Sequence, residues 1–213
     1  MSYRLESPSG DIIYFDNVSY AILRDTLAGL AAYPVDYATT APPGYIGEVI
    51  NTATITPRTI LLSVLILGAG RAELERNRLR LVNALSPING QCRFVWTAED
   101  GQGYYLDVTP ADGSPDFSVG TAPNATEWPC KIDLIAHDPC WHSITQMSIE
   151  IIGRHDRFVL PFDPGRFIVA DDARGADITN TGTVSTPVTI TLHGALGSPI
   201  SISNDTTGET ITV

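Results

Sequence analysis

Residues 60–90 read ILLSVLILGAGRAELERNRLRLVNALSPING, and this stretch decides the fold. Residues 60–67 are apolar on both faces of any strand they form, interrupted only by Ser63, which places that strand inside a sandwich or under a helix. Gly68 and Gly70 supply permissive backbone for a tight turn. Residues 71–85 then change to the helical period: Leu74, Arg78, Leu81, Val82 and Leu85 fall on one stripe, while Glu73, Glu75, Arg76 and Arg80 face water and can pair at i,i+3. Ser86-Pro87 ends the helix, because the residue before a proline is pushed out of the α region. The pattern predicts a β-domain with one packed helix.

Upstream, residues 5–18 read as two short strands around the turn Ser7-Pro8-Ser9-Gly10-Asp11. Residues 21–47, rich in Ala, Gly, Pro and Tyr, show neither the strand nor the helix period and are expected to be a long loop or arm. Tyr33, Tyr37 and Tyr45 alternate there with small residues and prolines, a composition that lays large contact area over a partner at low entropic cost. These three are the candidate interface residues. Thr52, Thr54 and Thr56 then alternate with Ala53 and Ile55 before Pro57 and Arg58 interrupt.

Downstream of the helix, residues 91–96, 103–108 and 130–136 alternate as strands, with a Gly/Pro/Asp-rich connection over 109–124. His137-Asp138-Pro139-Cys140-Trp141 closes the first domain, residues 143–152 read as a further strand, and a boundary near Gly153 divides the chain into 1–153 and 154–213. In the second unit a turn with Asn180 and Gly182 precedes an alternating strand (Val188, Ile190 and Leu192 against Thr189, Thr191 and His193), a Gly-Pro turn, a strand with Ile200 and Ile202, and a Thr-Gly turn. The fold class expected is mainly β: an antiparallel β-sandwich or split-barrel domain with one packed α-helix, followed by a short β-unit.

The order of these motifs resembles the distal tail protein (Dit) family of long-tailed, siphovirus-type bacteriophages. In that family a strand, a Gly turn, a helix of the Glu-Leu-x-x-x-Arg-x-x-Leu type and a Pro-x-x-Gly turn follow one another, as residues 60–90 do. Its first domain ends in an Asp-Pro-aromatic-Trp run, where this chain has Cys140 in place of the aromatic. An Asn-x-Gly, a Pro-x-Thr-Ile strand, a Gly turn and an Asn-x-Thr-Thr-Gly-Glu turn follow at similar spacing in 180–209. The resemblance implies a non-enzymatic virion protein: a ring, typically a hexamer, joining the tail tube to the tail-tip or baseplate hub. The ring would contact the tube protein, the hub or tail-associated protein and the tape-measure protein, and DNA would pass only through its lumen. It would sit at the virion tail tip after assembly in the host cytoplasm. The family's galectin-like second domain normally continues past the Thr-Gly-Glu turn, so residues 154–213 are expected to be a partial galectin-like sandwich, either a short variant or a piece of a longer product.

Composition bounds the rest. At 213 residues with 43% hydrophobic and 17% charged residues, the chain can bury a real core. Its formal net charge of -11 argues against tight binding to phosphate backbones, and Lys131 is the only lysine. An acidic wall instead lets a duplex slide past. No apolar run is long enough to span a membrane, so no membrane insertion is expected. The N-terminus lacks the basic and apolar regions of a secretory signal. Cys92, Cys130 and Cys140 are an odd, unframed set expected to be buried thiols.

Other constellations are weaker. Cys130, His137, Cys140 and His142 are zinc-type ligands at irregular spacings, and Asp171, Asp172 and Asp177 lack the terminal Glu of a calcium loop. Gly68-x-Gly70 lacks the Gly-Lys-Ser/Thr of a phosphate-binding loop, and Ser143 beside His142 has no spaced partner. No catalytic residue, cofactor or metal is expected. The alternative function is a carbohydrate-binding β-sandwich module for host-surface adhesion using Trp96, Trp128 or Trp141, although their apolar flanks favour core packing.

Overall fold

The opening hairpin forms where the turn residues place it: β1 (Ser2–Glu6) and β2 (Ile12–Tyr14) pair antiparallel with Leu5 opposite Ile13, both fully buried. The computed structural model describes residues 2–23, 26–44, 46–118, 124, 126–145, 179–180, 182, 189–191, 201–204 and 207–212. After the hairpin come β3 (Tyr20–Ile22), β4 (Val35–Thr40), β5 (Val49–Ile55) and β6 (Arg58–Leu67). The helix α1 (Arg71–Ala84) follows, then a 3-10 turn (Pro87–Asn89), β7 (Cys92–Thr97), β8 (Gly103–Pro110), β9 (Glu127–Ala136) and β10 (His142–Ser143). The described contacts divide the chain into two compact units, Met1–Ser148 and Ile149–Val213.

In the first unit one antiparallel sheet runs in the order β2-β1-β7-β8-β9-β6-β3, a nearly closed barrel whose terminal strands β2 and β3 are joined directly by residues 15–19. β8 makes the split. Its start pairs with β10 through Tyr105 opposite His142, whereas its end pairs with β9 through Thr109 opposite Ile135. The stretch of β9 that β8 does not reach is covered by the following loop, where Asp116 and Lys131 exchange backbone hydrogen bonds of 2.8 Å.

β6 and β9 form the longest ladder, ten pairs from Arg58–Ala136 to Leu67–Glu127. Along β6 the residues Ile60, Leu62, Val64 and Ile66 point inward and are buried. The sequence pattern put apolar side chains on both faces, and the second face is partly covered: Ala28 bridges to Leu61, and the Thr26 hydroxyl accepts the Ser63 N–H at 3.1 Å. Arg58 does not interrupt the strand but begins it. On β7, Val95 lies on the outer face yet is only 1% exposed, because Arg4, Tyr105 and Ile144 gather beside it.

The helix contributes Leu74, Leu81 and Ala84 to the core, and Leu85 follows just past its end. Its stripe is therefore close to the expected one, with Ala84 added. Three polar ties fix its pose: the Tyr20 hydroxyl donates to the Asn77 carbonyl at 2.9 Å, the Asn77 amide to the Leu67 carbonyl at 2.7 Å, and Arg80 to the Ile12 carbonyl at 3.1 Å.

Residues 21–47 do not remain a loop. They supply the end of β3 and all of β4, which pairs with β5. The expected strand over 143–152 is seen only at its first residue, within β10; Ile144 and Thr145 lie outside it and 146–152 are beyond the described residues. In the second unit β11 (Ser201–Asn204) and β12 (Glu209–Thr212) form the hairpin that the Thr207-Gly208 turn predicts. Residues 189–191, the described part of the preceding segment, belong to no strand.

Burial pushes the Tyr20 phenol up to about 12, with Asp11 adding to the shift and Arg80 opposing it. A group whose folded pKa lies above its unfolded value near 10 contributes its full stability below pH 10 and loses it as pH rises through 12. Urea unfolding measured from pH 9 to 12 is expected to show that fall, on the order of 3 kcal/mol for a two-unit shift. Cys130, pushed by burial to about 12, adds a fall of the same sign. Tyr20→Phe is expected to shrink the fall, and an unchanged profile in that variant would refute the assignment.

Candidate interface ribbon and its base

β4 and β5 stand apart from the barrel as a two-stranded ribbon of their own. Val35 pairs with Ile55, Tyr37 with Ala53 and Ala38 with Thr52; then Thr39 pairs with Ile50 and Thr40 with Val49. Asn51 is thus an extra residue, and its side-chain amide bonds the Thr40 hydroxyl. A bulge shifts the alternation of one strand by one residue. Ile50, which plain alternation would set beside Thr52 and Thr54, comes round to the face of Val35, Tyr37 and Ile55. The opposite face carries Asp36, Ala38, Thr40, Val49, Thr52 and Thr54.

Every residue of both strands is exposed, with Tyr37 at 54%, Ile50 at 60% and Ile55 at 54%. Ile46, in the connection beyond Pro42-Pro43-Gly44, is fully exposed. A lone two-stranded hairpin is marginal in water, and an uncovered apolar face makes it a surface for association. The ribbon's unpaired outer edges present backbone donors and acceptors as well.

The base of the ribbon is held by Arg58, only 1% exposed. Its Nε donates to the Pro139 carbonyl at 3.1 Å, and its Nη1 donates to the carbonyls of Gly29 at 2.9 Å and Ala31 at 3.5 Å. Its guanidinium carbon lies 5.6 Å from the centre of the Tyr33 ring. Burial lowers the Arg58 pKa from its ordinary value. The neighbouring Trp141 indole donates to the Leu30 carbonyl at 3.2 Å, and the Thr56 N–H donates to the Pro34 carbonyl at 3.0 Å. Gly29 is required here: at φ +86 an added Cβ would lie 1.9 Å from the Thr59 carbonyl oxygen.

The Asp-Pro-Cys-Trp run is the other half of this clamp. Asp138 Oδ1 accepts the Cys140 N–H at 3.0 Å, which turns the chain so that Pro139 and Trp141 both reach the ribbon's base. That N–H is the main reason the Asp138 carboxyl lies below its ordinary pKa, with His142, 3.0 Å away, acting in the same direction.

Of the three candidate tyrosines, Tyr37 stands on the ribbon's apolar face, Tyr33 is half-buried at the base over Arg58, and Tyr45 lies outside the described residues. The sequence reading missed Val35, Ile50 and Ile55 as members of the surface and Arg58 as its anchor. The signal in the sequence is two threonine-bearing runs of β-prone residues, 35–40 and 49–55, on either side of Pro42-Pro43-Gly44.

The chemical alternatives take structural roles. Ala69 N–H, at the centre of the Gly68-x-Gly70 turn, donates to the Glu73 carboxylate at 2.8 Å, so the helix's own first turn fills the place an anion would take. Among the described residues no three His, Cys, Asp or Glu side chains are grouped to hold a metal ion. Cys92 and Cys130 are buried, and His137 meets the Thr109 hydroxyl at 3.5 Å. Asp171, Asp172 and Asp177 lie outside the described residues. Trp96 packs between Tyr104 and Trp141, and Trp128 packs on Phe117 beneath Arg71 and Arg78, so none of the three stands free as a sugar platform. Among the described residues no helix is long and apolar enough to cross a membrane.

The described residues of the first unit thus form a split antiparallel barrel with one packed helix and an exposed two-stranded ribbon. No family model and no curated protein matches the chain. Among solved structures it is similar to the SPP1 Dit protein, a paradigm of the hub adsorption apparatus in Gram-positive infecting phages. The identity is 15%, over 66% of this chain and 52% of that one, with a TM-score of 0.45. It is also similar to the phage p2 baseplate in its activated conformation, with strontium and with calcium. Identity is 17% in each, over 62% of this chain and 43% of that one, with TM-scores of 0.49 and 0.48. The chain therefore matches about half the length of these structures or less. The first of them bears the name of the family whose motif order the sequence resembles.

Replacing Arg58 by Met removes the donors of the Gly29 and Pro139 carbonyls while keeping most of the side-chain volume. The expected loss is about 1–3 kcal/mol for each carbonyl left unpaired. Urea unfolding should report it, and chymotrypsin should cut near Tyr33 and Tyr37 several times faster than in the parent chain. Unchanged cleavage would mean that Arg58 does not hold the ribbon.

Proposed function

We propose that this chain is a structural virion protein of the Dit kind, a subunit of the ring that joins the tail tube to the tail-tip or baseplate hub. The observation that carries this reading is the β4–β5 ribbon, whose apolar face is exposed and has no cover among the described residues. Such a face is stable in water only when something else buries it. The order of sequence motifs across 60–90, 138–141 and 180–209 supports the same reading.

In this reading the barrel unit forms a homo-oligomeric ring, a hexamer by the family resemblance, and its neighbours are the tube protein, the hub or tail-associated protein and the tape-measure protein. A closed ring sets one patch of each subunit against a different patch of the next. The formal net charge of -11 suits a lumen through which DNA passes without being held. The ring is assembled in the host cytoplasm and resides at the virion tail tip. Neither catalysis nor a cofactor enters this role.

Mass photometry and negative-stain imaging of the full chain, with and without its tail-tube protein, are expected to show closed rings. Antibody labelling of virions is expected to mark the tail tip. A chain that stays monomeric at high concentration with the tube protein present would overturn the reading.

A further inference from the structure

The turn that follows α1 carries Asn89-Gly90, the one place in the chain where glycine follows asparagine. In such a pair the glycine amide nitrogen can attack the asparagine side-chain carbonyl carbon, because no Cβ on the second residue shields that nitrogen. Pro87, Asn89 and Gly90 are exposed, and Ile88 is 93% exposed, so water reaches the pair. Gly90 has a φ of +99, a conformation in which a side chain would be strained. The fold itself therefore keeps the glycine beside the asparagine.

Asn89 also caps the helix end. Its side-chain amide donates to the Asn83 carbonyl at 3.1 Å, the same carbonyl that accepts the Ser86 N–H at 3.2 Å. Asn83 belongs to the last turn of α1, where carbonyls lack an intrahelical donor. No basic residue stands in that turn to offset the negative end of the helix dipole. Two backbone bonds close the connection to β7: the Asn89 N–H donates to the Ser86 carbonyl at 3.1 Å, and the Gly90 N–H to the Pro87 carbonyl at 3.2 Å. The second engages the hydrogen on the attacking nitrogen, so reaction follows opening of the turn.

We propose that Asn89 is a site of spontaneous deamidation and that its conversion releases the C-terminal end of α1. The Gly90 nitrogen loses its proton and bonds to Cγ of Asn89; the Cγ–Nδ2 bond breaks, and the amide leaves as ammonia with that proton restored to it through water. One water molecule then opens the succinimide at either carbonyl and leaves aspartate or isoaspartate. No oxidant or enzyme is required. Either product sets a carboxylate where the Asn83 carbonyl had a donor, so a hydrogen bond becomes a repulsion at the negative end of the helix. Isoaspartate also adds a backbone atom within the turn and so displaces both bonds that close it. Leu85 is buried and the Cys92 thiol donates to the Ala84 carbonyl at 3.1 Å, which confines the release to residues 86–90. The site stands independently of the ring reading.

To test it, the full-length chain is incubated at pH 7 and pH 9 and digested with trypsin, which frees the peptide 81–93 between Arg80 and Arg93. That peptide also contains Asn83, so its fragment masses compare two asparagines in one molecule. Exchange of amide for carboxyl is expected at Asn89 and not at Asn83, several-fold faster at the higher pH. Asn89→Gln lengthens the side chain and disfavours ring closure, and is expected to stay unconverted. Asn89→Asp is expected to lower the melting temperature by a few degrees and to speed amide hydrogen exchange at Ser86 several-fold. A folded chain whose Asn89 stays intact would overturn the site, with conversion of the urea-unfolded chain showing that the closed turn protects it. Equal conversion at Asn83 would do the same. Unchanged exchange at Ser86 in Asn89→Asp would overturn the release of the helix end.

Discussion

A buried arginine with no carboxylate beside it among the described residues ties down the base of this domain's exposed ribbon. Moving a cation out of water is costly unless its donors are satisfied, and here backbone carbonyls from residues 29, 31 and 139 accept from Nε and Nη1 of Arg58, while its buried Nη2 has no hydrogen-bond partner among the described residues. Guanidinium suits the task because it is weakly hydrated, keeps its charge and presents a planar fork to several acceptors at once. An ammonium at the same place would meet the same carbonyls with a compact, strongly hydrated charge. The ring of Tyr33 adds a cation–π contact. Three chain segments far apart in sequence, the run before the ribbon, the start of β6 and the Asp-Pro corner, converge on one side chain.

That convergence explains the shape around it. β6 anchors the barrel through its ten-pair ladder with β9, and Arg58 is its first residue, so the clamp is built on the most extensively paired part of the sheet. β8 divides its edge between β9 and β10, which leaves room where the corner at 138–141 can fold inward. Trp141 occupies that room among Phe94 and Trp96 while donating to Leu30. The Asp-Pro-x-Trp run is thus a mechanical part: Asp138 makes the turn, Pro139 offers the carbonyl, and Trp141 packs on Phe94 and Trp96 and donates to the ribbon's base.

What was legible in the sequence was whatever periodicity or turn chemistry determines locally. The hairpin around residues 7–11, the strand-turn-helix of 60–85 and the three strands after it need only nearby residues to be read. The ribbon escaped because its runs have few large apolar residues, and β-propensity on an uncovered surface gives no burial pattern to recognise. The bulge at Asn51 hid it further by breaking the alternation of β5, so that Ile50 reads as out of phase with Ile55 until the register is known. Arg58 reads as an interruption because a charged residue beside a proline marks a loop more often than a core. Its partners lie about 30 and 80 residues away along the chain, a separation no local window spans. Tyr33, an expected interface residue, instead lies half-buried over Arg58 at the ribbon's base.

The same constraints bear on why such a ribbon exists at all. A strand pair that could bury its apolar face within its own chain would lie flat on the barrel and offer nothing to a neighbour. Here the apolar positions are too few to hold the ribbon down, with Val35, Tyr37, Ile50 and Ile55 spread along its length and no basic residue within it. Arg58 and the Asp-Pro corner fix its base, while the residues of both its strands stay exposed. The barrel's core closes without the ribbon, whose apolar positions stay at the surface, so the proposed assembly would add its buried area there without altering the core.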